Sequence, residues 1–225
     1  LLEMESSLAY HTSGRSLATF LETYGPLEIR ALTTGSRSFF EDPQGLVETP
    51  LLSPLGLLQV AGHGQAQSIR DLYDEVTQLA PSARLVTGDE AVELNPALRP
   101  GFFELGLYDA AATEIDVNAL HAGYVRGLKQ RRGEVHKSSK VVGAVRDGGR
   151  WIVTDARGNT YSAATVVNAA GSWVDEVASV FGARPIGIEP KRRSVFIVTP
   201  PDGVVARGLP LTGNLPTSWY FMPQG

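Results

Sequence analysis

The chain has 225 residues, 43% of them hydrophobic and 20% charged, with a formal charge of −4 and no cysteine. A soluble chain of this length buries roughly 70% of its unfolded surface without disulfides or a structural metal, and its acidic balance gives no electrostatic draw for nucleic acid. No apolar run approaches the roughly 18 residues that a membrane-spanning helix needs.

Leu1-Leu2-Glu3 reads as the end of a buried strand finishing in an acid, the arrangement by which a Rossmann second strand offers a carboxylate to an adenosine ribose. No initiator Met and no signal-peptide pattern opens the chain. It stops at Gly225, just after the strand-like Trp219-Tyr220-Phe221. The expectation is therefore an internal portion of a longer, cytoplasmic protein. His11-Thr12-Ser13-Gly14-Arg15-Ser16 packs hydroxyls, a glycine and an arginine ahead of the apolar Leu17, Ala18 and Phe20. Such a segment can hold a phosphate at a helix start, or simply cap an ordinary helix. No Gly-x-Gly-x-x-Gly occurs, since Gly62-His63-Gly64 is followed by Gln65, Ala66 and Gln67.

Arg30 to Pro96 and Arg184 to Gly225 read as insertions rich in proline and long connections, lacking strand-helix alternation. Within the first, Ile69, Leu72, Tyr73, Val76 and Leu79 predict a helix ended by Pro81. A second helix begins at an Asp116 cap, carries Val117, Leu120, His121, Tyr124 and Leu128, and closes at Gly133. Lys140 to Val145, Trp151 to Thr154 and Thr160-Tyr161, separated by Gly-rich turns, predict an antiparallel meander. Ala164 to Asn168 predicts a buried parallel strand leading through Ala169-Ala170-Gly171 into a helix with Trp173, Val174, Val177, Ala178 and Phe181. Gly182 closes that helix, and Ser194 to Val198 predicts a further strand. The four histidines lie too far apart in sequence for a local metal pair, so no metal site is expected.

Glu3, Tyr10-His11-Thr12-Ser13-Gly14-Arg15-Ser16, Tyr24-Gly25, Arg30-Ala31-Leu32-Thr33, Pro50-Leu51-Leu52-Ser53-Pro54, Val167-Asn168-Ala169-Ala170-Gly171-Ser172-Trp173 and Pro190-Lys191-Arg192-Arg193-Ser194 follow one another along nearly the whole chain. In that order they resemble the FAD-dependent D-amino-acid oxidases and dehydrogenases, the DAO family, most of all its D-arginine dehydrogenase branch. The resemblance implies an α/β (α+β) protein: a Rossmann-like FAD-binding domain, residues 1–44 and 114–183, with an inserted, mostly β substrate domain, residues 45–113 and 184–225. The family's first glycine loop and its C-terminal flavin-contacting segment are absent from these residues.

By the same resemblance, FAD is contacted by Glu3 and Met4 at the ribose, by Ser13, Arg15, Ser16 and Ala18 along the pyrophosphate and toward the flavin, and by the Val141 backbone at adenine. Ala169, Ala170, Gly171 and Trp173 complete that set. Lys191-Arg192-Arg193 would otherwise be a solvated basic run; the resemblance turns Arg193 inward to grip the substrate carboxylate, with Tyr220 beside it and Tyr24 lining the pocket. Leu57 stands where the arginine-oxidising branch has a pocket acid, and Thr19 where it has a histidine, which implies an uncharged substrate side chain. The implied reaction passes the Cα hydrogen of a small amine or D-amino acid as hydride to flavin N5, giving an imino acid and then a 2-oxo acid. Oxidation of an N-methyl amino acid or a 2-hydroxy acid, and a non-catalytic FAD-binding protein, are the alternatives.

Overall fold

The structure is a computed structural model that describes residues 1–192, 194–215 and 217–223. It is a mixed α/β chain with two compact units, one made of residues 1–12 and 126–197 and the other of residues 13–125 and 198–225.

The larger unit is built on five strands: β3 (Leu57–Gly62), β4 (Ala83–Thr87), β5 (Phe103–Asp109), β10 (Leu211–Asn214) and β11 (Tyr220–Phe221). Their order is β11-β10-β3-β5-β4, with β10 parallel to β3 and the other pairs antiparallel. Between β3 and β5 run α2 (Ala66–Val76) and α3 (Gly88–Leu94), so strand and helix alternate where the composition suggested otherwise. Helices cover both faces. Ile69 and Val76 of α2 pack on Ala61, Ala83 and Leu107, while Ala91 of α3 and Leu98 pack on Leu58, Val60 and Val86. A strand buried on both sides loses its period-two pattern, which is why Leu57-Leu58-Gln59-Val60-Ala61 gives no alternation. The short α3 is announced by a capping box: Glu90 N–H donates to Thr87 Oγ1 (3.2 Å), and Thr87 N–H donates to Glu90 Oε2 (2.8 Å).

The same unit contains α1 (Leu27–Glu41), entered through Pro26. Its one buried residue is Arg30, which donates to Glu75 of α2 at 3.1 Å. Arg37, two turns further along, pairs with the buried Glu22 and donates to Ala111 O at 3.1 Å. An inward face made of arginines gives no apolar stripe, so periodicity does not find this helix. A second, three-stranded sheet has the order β1-β6-β2, formed by β1 (Thr19–Phe20), β2 (Leu52–Pro54) and β6 (Thr113–Ile115).

The helix expected after Asp116 is α4 (Val117–Gln130), and Ala119 N–H donates to Asp116 Oδ1 at 2.8 Å. Its C-terminus is closed differently from the expectation. Arg132, not Gly133, takes the left-handed φ of 61°. At Gly133 a Cβ would lie 2.2 Å from Leu128 Cδ1 and 3.0 Å from Leu128 O, so the Leu128 side chain would have to shift to admit one.

In the smaller unit, β7 (Val141–Asp147), β8 (Arg150–Asp155) and β9 (Thr160–Ala163) form the expected meander, and α5 (Val174–Val180) follows a single 3-10 turn at Gly171–Trp173. Two expected strands are not formed. Neither Ala164 to Asn168 nor the described part of Ser194 to Val198 pairs with another described residue, and Phe196 is 80% exposed. An extended apolar run becomes a strand only when a ladder satisfies its backbone. Arg193 lies outside the described residues, as do Pro216, Gln224 and Gly225.

Asp155, 1% exposed, ties the β8–β9 turn together. It accepts from Asn159 Nδ2 (3.0 Å), Asn159 N (2.9 Å), Arg157 N (2.9 Å) and the Tyr161 hydroxyl (3.1 Å). These donors, the Asn159 side-chain amide foremost, hold its carboxyl far below the ordinary aspartate range against the opposing effect of burial. A folded-state pKa below the unfolded one contributes stability that is complete above about pH 4 and is lost as pH falls through the folded value. Asp175 and Glu90 are shifted the same way by backbone N–H donors. The urea midpoint should therefore fall as pH drops below about 4, and Asp155→Asn should make that fall shallower without abolishing it. An unchanged acid slope in the variant would mean that Asp155 is not a source of it.

Candidate functional site

At the start of the smaller unit, Leu2 pairs parallel with His136, Glu3 N–H donates to His136 O (2.8 Å), and Ser139 N–H donates to Glu3 O (2.8 Å). This fixes Glu3 at the end of a paired segment. Glu5 N–H donates to Glu3 Oε1 at 2.8 Å, with Met4 in the intervening bend, and among the described residues no donor reaches Oε2. Below it, Arg157 Nη2 donates to Lys137 O (3.2 Å) and to the Oγ of buried Ser139 (3.1 Å), tying the β8–β9 turn to the segment paired with Glu3. Val141 opens β7 opposite Asp155, and the register shifts between it and Gly143.

The Ala169-Ala170-Gly171 turn is held by Asn168, a role that its own motif did not reveal. Asn168 Oδ1 accepts from Ala170 N (3.3 Å), and Nδ2 donates to Val174 O (2.8 Å). Gly171 has φ of 55° and open space where a Cβ would stand, so a ligand can approach its backbone. Trp173 packs its ring 4.6 Å from that of His11, whose Nε2 lies 2.8 Å from Glu5 Oε1. His11 thus joins the Glu3 segment to Trp173. Its place in the Tyr10 to Ser16 motif was the only sequence signal for that.

In the larger unit, Ser13 and Arg15 lie on an exposed 3-10 turn rather than at the start of an α-helix. Ala18 N–H donates to Ser16 Oγ at 3.2 Å, and Ala18 itself is left-handed, with φ of 52°. A residue with a Cβ in that region is uncommon and concentrates at functional segments. Leu57 is 5% exposed and forms a cluster with Ala112 and Leu211, against which Leu17, Leu21, Leu55, Tyr220 and Met222 pack. Tyr220 and Leu57 are therefore brought together, and Leu17 and Leu21 bring the segment around Thr19 to the same cluster. Thr19 pairs with Glu114 across β1 and β6. Tyr24 is 56% exposed, and no described contact joins it to that cluster. Lys191 pairs with Glu189 at 2.7 Å, and Arg192 is exposed. Among the described residues no group of His, Cys, Asp or Glu could hold a metal ion.

The chemistry of the residues fits FAD in each unit taken by itself: the smaller holds an acid and a glycine turn open to approach, the larger hydroxyls on an exposed turn. An α/β chain carrying these elements is of the dinucleotide-binding type. The chain belongs to the DAO family, described as FAD dependent oxidoreductase, whose sequence profile matches residues 1–225, and FAD is that family's cofactor. The fold is similar to that of L-alpha-glycerophosphate oxidase from Mycoplasma pneumoniae, with TM-score 0.70 at 15% identity, covering 80% of this chain and 49% of that one. It is similar to glycine oxidase from Geobacillus kaustophilus, with TM-score 0.67 at 17% identity, covering 80% and 50%. L-proline dehydrogenase from P. horikoshii gives TM-score 0.70 at 13% identity, covering 95% and 61%. The chain thus spans about half the length of the first two. No helix among the described residues is long and apolar enough to cross a membrane.

Proposed function

We propose that the whole protein oxidises a small amino acid or amine, with D-amino acids as its substrates, to an imino acid that water hydrolyses to a 2-oxo acid and ammonia. The observation that carries this is the match of one FAD-dependent family over residues 1–225. The ordered motifs favour the D-arginine-oxidising branch. Glycine oxidase and L-proline dehydrogenase among the similar folds support amino-acid chemistry. The division into residues 1–44 with 114–183 for FAD and 45–113 with 184–225 for substrate belongs to the same proposal.

When bound, FAD would supply the two-electron acceptor for the substrate's Cα hydrogen. The rest falls to this chain's residues. Glu3 holds the ribose, with Met4 beside it, and the Val141 backbone meets adenine. Ser13, Arg15 and Ser16 would hold the pyrophosphate, and Ala18, Ala169, Ala170, Gly171 and Trp173 would contact other parts of the cofactor. Arg193 and Tyr220 hold the substrate carboxylate and so orient Cα, while Thr19, Tyr24 and Leu57 border the side chain. A substrate amine arriving neutral needs no protein base.

The whole protein is expected to be purified with the visible absorption of oxidised flavin, which an amino acid bleaches in the absence of oxygen with release of 2-oxo acid and ammonia. Protein unable to take up FAD would overturn the cofactor assignment. Glycerophosphate oxidase among the similar folds favours a second reading, oxidation of a hydroxyl such as that of a 2-hydroxy acid. Flavin bleached only by the hydroxy acid would select it.

A further inference from the structure

The chain's formal charge of −4 hides two opposite parts. The smaller unit, residues 1–12 and 126–197, holds 13 Lys and Arg against 8 Asp and Glu, while the larger holds 7 against 16. The cationic surplus is concentrated where α4 ends and the chain returns alongside Glu3. Residues 126–140 carry six cations, Arg126, Lys129, Arg131, Arg132, Lys137 and Lys140, and one acid, Glu134. All six are exposed. Lys129, Arg132, Lys137 and Lys140 have no ion pair or side-chain hydrogen bond with a described residue, so their charge is turned to solvent.

This face is continuous with the segment that the cofactor reading assigns to the ribose. His136 N–H donates to Leu1 O (2.9 Å) and Ser139 N–H donates to Glu3 O (2.8 Å), which lays the stretch bearing Lys137 and Lys140 beside Glu3. Arg157 is joined to the same stretch through Lys137 O (3.2 Å). The end of α4 turns into it at Gly133, whose N–H donates to Leu128 O (2.9 Å). Neighbouring acids do not cancel the surplus, because they are engaged elsewhere: Glu5 Oε1 lies 2.8 Å from His11 Nε2, and Glu134 Oε2 lies 2.8 Å from His136 Nε2.

We propose that this cationic face steers FAD to its site: the two phosphates make the cofactor an anion, the face speeds the arrival of its adenosine end, and the cations stay in solvent once it is seated. This deepens the cofactor reading and rests on the ribose being held at Glu3. Steering acts over the screening length, about 30 Å at 0.01 M salt and about 3 Å at 1 M. Charges on the rim of a site act on the association rate and its salt dependence, whereas buried partners of a ligand act on the dissociation rate.

The test follows the change in flavin fluorescence as FAD is mixed rapidly with the flavin-free whole protein. In the unaltered protein the association rate should fall as sodium chloride is added. Lys137→Gln combined with Lys140→Gln should lower that rate about fivefold at 0.01 M salt, and the deficit should close near 1 M. Adding Lys129→Gln and Arg132→Gln should lower it further. The dissociation rate should stay as it was, and so should kcat of the flavin-saturated protein. Arg70→Gln combined with Arg99→Gln removes the same charge from exposed positions of the larger unit and should leave the association rate within about 1.5-fold. An association rate insensitive to salt in the unaltered protein, or lowered equally by the Arg70 and Arg99 pair, overturns the proposal. So does a Lys137 and Lys140 variant that binds FAD at the original rate and loses it faster, which would make the lysines direct ligands of the phosphates. Flavin-free protein that takes up no FAD at any salt concentration overturns the cofactor reading, and the steering with it.

Discussion

Arg193→Met is expected to lower kcat/KM of the whole protein by about 30-fold to several thousandfold, the equivalent of the roughly 2 to 5 kcal/mol lost when one partner of a buried, hydrogen-bonded charge pair is truncated. A guanidinium grips a carboxylate through two parallel N–H donors in a fixed plane, and no uncharged side chain replaces that. In the proposed role Arg193 would also orient Cα, so the loss should fall on kcat as well as on KM. Arg192→Met is the comparison. Arg192 is exposed, and its neighbour Lys191 is engaged with Glu189, so a mild effect is expected there. A loss under about threefold for Arg193→Met, with FAD still bound, would assign the carboxylate grip to another residue.

The sequence was most legible where one face of an element meets water. α2, α4 and the β7–β8–β9 meander show an apolar side, a polar side and turn residues between them, and each formed close to its expected limits. Legibility failed in two physical circumstances. Where both sides are covered, as in β3, the pattern flattens into a continuous apolar run. Where the inward side is polar, as in α1 with Arg30 and Arg37, no stripe exists to be read. Ala164 to Asn168 failed differently, because its composition reports strand propensity while pairing depends on another segment.

The candidate site divided along a similar line. Glu3, Asn168 to Gly171 and Tyr220 stand in short ordered motifs, and a motif carries its residue types in plain view. What those motifs did not carry is which distant segments they meet. The link from His11 to Trp173 and the pairing of Thr19 with Glu114 depend on ring contact and strand register, both of them long-range facts.

Leu57→Glu should destabilise the protein by roughly 3 kcal/mol or more, read as a lowered urea midpoint. At 5% exposure, Leu57 contributes about 1.5–3 kcal/mol through burial of its side chain, all of it lost in the variant. A polar group placed among Ala112, Leu211, Leu17 and Leu21 without a partner costs about 1–3 kcal/mol more. Burial would favour the neutral acid over the carboxylate, so the new side chain would offer a cationic substrate little charge to meet. Leu57→Met keeps volume and polarity and should stay within about 1.5 kcal/mol of the original. Together the two variants decide what Leu57 does. Loss of stability in Leu57→Glu with no gain for lysine over norleucine makes Leu57 the apolar floor on which Tyr220 rests. A stable Leu57→Glu protein that turns toward lysine would instead put Leu57 on an open pocket wall, and its side chain would then choose the substrate directly.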